Sequence, residues 1–91
     1  MIGIFATSKA GHDKSQLYII IKEDSEYVYL VDGIHRTIER PKKKKKKHIQ
    51  IIHKQVVDEL QKRIDEGLSI SNEQLKRAIK LYRENLDIGG L

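Results

Sequence analysis

The sequence contains no cysteine, which excludes a disulfide framework and any zinc site built on thiolates. No apolar run approaches the roughly 20 residues that a bilayer-spanning helix needs, so no membrane partner is expected. The opening MIGIFATSKAG has neither a basic leader nor a long apolar stretch and does not read as a secretory signal. There is no internal repeat, no phosphate-cradling glycine loop and no nucleophile elbow. A length of 91 residues fits one small domain, or a domain with an appendage. Its core must be modest, so every apolar stripe has to be used. A charged share of 34% beside 38% hydrophobic residues fits a folded, very soluble chain, for which the cytoplasm is the simplest location.

What is present is charge, unevenly distributed. Six consecutive lysines, Lys42, Lys43, Lys44, Lys45, Lys46 and Lys47, lie between Arg40-Pro41 and His48-Ile49-Gln50-Ile51-Ile52. Residues 1–33 hold three Lys/Arg against five Asp/Glu, residues 34–54 nine against one, and residues 55–91 six against seven. A nearly neutral body thus carries one segment of +8 within an overall charge of +5. Adjacent like charges repel one another and gain by meeting a polyanion, which in a cell is usually nucleic acid. A solvated run without a ligand is the plainer reading, and a nuclear-localisation peptide at Pro41-Lys42-Lys43-Lys44 is another. The run is short and flanked by expected strands, so an anionic ligand explains it better. Lysine, as a point charge, suits phosphates more than base edges.

The first half has a period of two. Ile2, Ile4 and Ala6 alternate with Gly3 and Phe5, Leu17 to Lys22 is rich in β-branched residues, and Tyr27 to Val31 follows a short polar break. Asp32-Gly33 is a strong hairpin signal, since glycine supplies the positive φ of a tight turn. A fourth strand is expected from Ile34 to Glu39, a lysine loop after it, and a fifth strand at His48–Ile52. Five short strands point to a small curled barrel or meander over residues 1–53. Residues 54–91 change period. Val56, Val57, Leu60 and Ile64 recur at helical spacing, with Gly67 as the residue after the helix. Ser71-Asn72-Glu73-Gln74 is a capping box with Ser71 as N-cap, flanked by the staple pair Ile70 and Leu75. Leu75, Ala78, Ile79, Tyr82 and Leu86 form an apolar face, with the helix expected to end near Leu86. The expected fold is therefore mainly β with a C-terminal α-helical hairpin.

Catalytic and metal chemistry find little support. His12, His35, His48 and His53 stand 23, 13 and 5 residues apart, which matches no compact ligand pattern. His48 is better read as a phosphate contact. Acidic residues alternate with Lys and Arg, as at Asp58-Glu59 and Lys62-Arg63, in the manner of surface pairs. No cofactor, small-molecule substrate or catalytic residue is assigned. Tyr18, Tyr27 and Tyr29 could stack on bases, but alternation puts Tyr27 and Tyr29 on one face with Val31, so core packing is the favoured role for that pair. Tyr82 belongs to the helix stripe. The turn Thr7-Ser8-Lys9-Ala10-Gly11-His12-Asp13-Lys14 has a good inventory for phosphate and sugar contacts.

The pattern Gly3-x-Phe-Ala-x-Ser-x-x-Gly11-His-Asp13-Lys, then apolar strands and Leu30-Val31-Asp32-Gly33, resembles the KOW motif. Asp32-Gly33-Ile-His-Arg36, followed by Arg40-Pro41-Lys42-Lys43-Lys44 and Lys47-His48-Ile49, is similar to the small bacterial KOW-domain RNA-binding proteins. These in turn resemble the archaeal and eukaryotic large-subunit ribosomal proteins of the L-fourteen-e kind. The likeness covers residues 2–52, and the stretch Ile70 to Ala78 looks like the helical C-terminus of the bacterial group. One departure is Ser15, where many relatives have glycine.

The resemblance implies an SH3-like barrel that binds structured RNA, ribosomal RNA above all, and has ribosomal proteins as further partners. The residues expected to meet RNA are Lys9, His12, Lys14, Arg36, Arg40, Lys42–Lys47 and His48, gathered on one surface, with Gly11, Asp32 and Gly33 as structural turn residues. The main rival is a protein-interaction module docking on the ribosome or the transcription machinery. A large exposed apolar stripe on the helices would favour that rival. An RNA-processing enzyme is a distant third.

Overall fold

The structure is a computed structural model that describes residues 2–9, 16–55 and 58–89. Five strands, β1 (Ile4–Ser8), β2 (Leu17–Glu23), β3 (Tyr27–Val31), β4 (Lys42–Lys45) and β5 (Ile49–Gln55), precede two helices, α1 (Asp58–Asp65) and α2 (Asn72–Gly89). The strands pair antiparallel in the order β4-β3-β2-β1-β5. The result is a mainly β fold: a curled five-strand half-barrel with a C-terminal helix.

The apolar run Leu17-Tyr18-Ile19-Ile20-Ile21 is continuous because the central strands are covered on both sides. On one face Phe5, Leu17, Ile19 and Val31 pack with Leu75, Ala78 and Ile79 of α2. On the other, Ala6, Tyr18, Ile20, Val28, Leu30 and Ile49 form a second cluster inside the curl. The register shifts between Ile20 and Lys22 and between Ile4 and Phe5, and such irregularities bend a sheet. Tyr82 stacks on Phe5 with ring centroids 4.6 Å apart, so the helix stripe meets the sheet as its spacing predicts.

The helix signals are realised in detail. The Ser71 N–H donates to Gln74 Oε1 at 2.9 Å, and the Gln74 N–H donates to Ser71 Oγ at 3.2 Å, the reciprocal pair of a capping box. After α1, Gly67 takes φ +70°. The N–H groups of Gly67 and Leu68 reach the carbonyls of Ile64 and Arg63 at 3.1 and 2.8 Å, the two bonds of a Schellman ending. α2 runs to Gly89, past the expected end at Leu86.

The segment after β3 departs from expectation. Ile34–Glu39 is not a strand, and Lys42–Lys45, expected as a loop, is the fourth strand. The cause is Asp32. Its Oδ1 accepts from the N–H groups of Ile34, His35 and Arg36 at 2.8–2.9 Å, and the Arg36 carbonyl accepts from Asp32 and Gly33. Backbone groups used in this wrapped turn cannot also join a ladder. Gly33 has the expected positive φ, +82°, but it opens a wide connection rather than a two-residue hairpin. The chain rejoins the sheet only at the lysines.

Candidate nucleic-acid interface

The lysine run begins as an edge strand and ends in a 3₁₀ turn, Lys46–His48. Strand alternation divides it. Lys42 and Lys44 are half-buried, whereas Lys43 and Lys45 are exposed. Lys44 Nζ donates to Ser8 Oγ at 2.6 Å, and Lys42 Nζ lies 5.9 Å from the centre of the Tyr18 ring. Burial, together with the neighbouring Lys44 charge, holds the Lys42 ammonium below the ordinary lysine range. Burial likewise pushes the Tyr18 phenol up, assisted by the Asp32 carboxylate. Lys46 pairs with Glu23 at 3.1 Å, and its N–H donates to the Glu26 carbonyl. An open cleft of about 370 Å³ is lined by Glu26, Lys45, Lys46 and Lys47.

Of the remaining expected contacts, Lys9 follows β1 and is exposed, and its N–H donates to the His48 carbonyl at 2.9 Å. This joins the start of the first turn to the exposed pair Lys47 and His48. Arg36 and Arg40 are exposed on the β3–β4 connection. That connection is fastened to α2, since the Ile38 N–H donates to Asn72 Oδ1 at 2.8 Å and Asn72 Nδ2 donates to Glu39 Oε2 at 3.0 Å. The Asn72 amide holds the Glu39 carboxyl below its usual range. Gly11, His12 and Lys14 lie outside the described residues. Asp32 is only 3% exposed, and its second oxygen accepts from Gln16 Nε2 at 3.1 Å, so it acts on the turn and not on solvent.

The core role expected for Tyr27 and Tyr29 is corrected. Both are half-buried, and neither belongs to an apolar cluster, while Val28 and Leu30 between and beside them are fully buried. Lys43 Nζ stands 4.3 Å from the Tyr27 ring centre and Lys22 Nζ 5.2 Å from that of Tyr29. Sequence reasoning missed this group because alternation with Val31 assigned the pair to the core. The placing of Lys43 depended on β4, which could not be foreseen. Tyr18, the third stacking candidate, is buried inside the curl.

Among the described residues no three His, Asp or Glu side chains come together as a metal site. No described helix is long and apolar enough to cross a membrane. No protein-family model matches the chain, and no curated protein matches it.

Proposed function

We propose that this protein is a non-enzymatic, cytoplasmic RNA-binding protein that grips the phosphate backbone of structured RNA, ribosomal RNA foremost. In this reading the half-barrel is the SH3-like barrel that the KOW resemblance implies. The observation that carries it is the backbone of the lysine run, held in a paired edge strand that continues into the turn beside Lys9. Cations on a fixed backbone remain close despite their repulsion, and a polyanion is the ligand that relieves it. Lysines at a strand edge also deter pairing with other sheets, but that purpose needs fewer than six. The rival protein-docking reading gains nothing from the described part of α2. Its Leu75, Ala78 and Ile79 face the sheet, and among the described residues the exposed large apolar side chains, Ile2, Ile34 and Leu68, are far apart in sequence.

The test is binding of a fluorescein-labelled RNA hairpin across a salt series. Engaging about five cations gives a fall in log affinity against log salt with a slope of roughly −3.5 to −4.5. Binding indifferent to salt, or no binding at low salt, overturns the proposal.

A further inference from the structure

We propose that the open sheet face around Tyr27 and Tyr29 is a stacking platform for two unpaired RNA bases, with Lys22, Lys43 and Lys45 meeting the flanking phosphates. The inference rests on the RNA-binding reading above, but it names a different part of the ligand: bases of a single-stranded segment instead of duplex backbone.

Register builds the platform. Tyr29 pairs across the sheet with Lys22 on one side and Lys43 on the other, and Tyr27 pairs with Lys45. Cations and rings therefore interleave over three adjacent strands. Each ring is half-buried, which anchors it while leaving part of its surface to solvent. An aromatic ring left open on a sheet face, with cations beside it, matches how single-stranded nucleic acid is held: bases on rings and phosphates on lysines. An acidic peptide would engage the lysines but has no use for the ring faces. In the free protein the ammonium groups of Lys43 and Lys22 rest near the rings. Their long stems let them swing to a phosphate as a base takes the ring.

Strand geometry also sets how the bases lie. Residues two apart on a strand are about 6.8 Å apart, twice the roughly 3.4 Å rise per nucleotide of a duplex strand. Two neighbouring bases on Tyr27 and Tyr29 must therefore be splayed, each on its own ring. A weakly self-stacked strand such as oligouridylate is the fitting ligand.

The experiment measures binding of a labelled uridine octamer and of a blunt RNA duplex to the full chain and to two double variants, Y27L/Y29L and Y27F/Y29F. The expected result for Y27L/Y29L is a loss for the octamer of about fivefold or more per base, with duplex affinity and melting temperature little changed. Y27F/Y29F, which keeps both rings, retains octamer binding. Because the chain has four tyrosines and no tryptophan, quenching of its intrinsic emission by the octamer reports the stacking directly. If Y27L/Y29L binds the octamer like the parent, the platform is wrong while duplex binding leaves the phosphate grip standing. If Y27F/Y29F loses as much as Y27L/Y29L, the hydroxyls and not the rings make the contact, and stacking is overturned. If the parent binds neither RNA, the RNA-binding reading falls and takes the platform with it.

Discussion

Gly33 lies directly beneath the first turn of α2, against the backbone carbonyl of Asn72. A β-carbon added to Gly33 would meet that carbonyl oxygen and come within 2.9 Å of the Lys76 nitrogen. The side chain of the same Asn72 holds Ile38 and Glu39. The β3–β4 connection and the helix N-terminus are thus one joint, touched at both ends of the loop by a single residue.

Gly33→Ala should therefore cost more than a positive-φ glycine usually does. The left-handed backbone alone costs an alanine roughly 1–2 kcal/mol, and forcing the helix aside adds about 1–3 kcal/mol. Gly67 provides the control, with φ +70° and nothing within 4 Å of an added β-carbon. Gly67→Ala should show only the backbone cost. Thermal melting of the two variants decides: equal losses would mean that the contact with α2 carries no weight.

Asp32, next to Gly33, organises the turn that opens the loop. Asp32→Ala leaves three backbone N–H groups without their acceptor, at about 1–3 kcal/mol for each that stays dry. Asp32→Asn keeps an oxygen in place and should be clearly milder. Denaturant melts of the pair check this, and equal destabilisation would show that the turn does not depend on that oxygen.

Local signals in the sequence were legible where a few neighbouring residues settle the outcome. The Ser71–Gln74 box, the Gly67 ending and the apolar stripe on α2 are of this kind, as is the positive φ of Gly33. The β3–β4 segment was not legible, because its conformation depends on one side chain. Thr37-Ile38-Glu39 has the composition of a strand, yet Asp32 and Asn72 hold the segment off the sheet. Four lysines have no strand signal of their own, and only pairing with Tyr27–Leu30 makes them β4. Once that pairing is missed, the two faces of the run and the Tyr27–Tyr29 group are missed too.

Asp24 should make the fold acid-sensitive. Its Oδ1 accepts from the N–H groups of Tyr27 and Glu26 at 2.7 and 2.9 Å, and these bonds hold its carboxyl below the ordinary aspartate range. A carboxyl depressed in the folded state stabilises it fully above the unfolded pKa, and that contribution disappears as pH falls through the folded one. The melting temperature should thus drop below about pH 4. Asp24→Asn, which can accept the same bonds without titrating, should flatten part of that drop. Profiles from pH 2 to 6 that superimpose would remove Asp24 from the acid limb.

The two faces of the lysine run should separate affinity from stability. Lys43, Lys45 and Lys47 are exposed, whereas Lys42 and Lys44 turn toward Tyr18 and Ser8. Replacing the exposed three by serine takes away three cations a phosphate can reach while leaving the Lys44–Ser8 bond intact. The salt slope for an RNA hairpin should become shallower by about 2–3, at roughly 0.7–0.9 per contact, with melting temperature unchanged or slightly higher as repulsion eases. Lys42→Met should leave that slope nearly unchanged. Titrations at four salt concentrations, with melts of the same variants, test the division. An unchanged slope in the triple variant would place the phosphates elsewhere on the molecule and leave the lysine strand without its function.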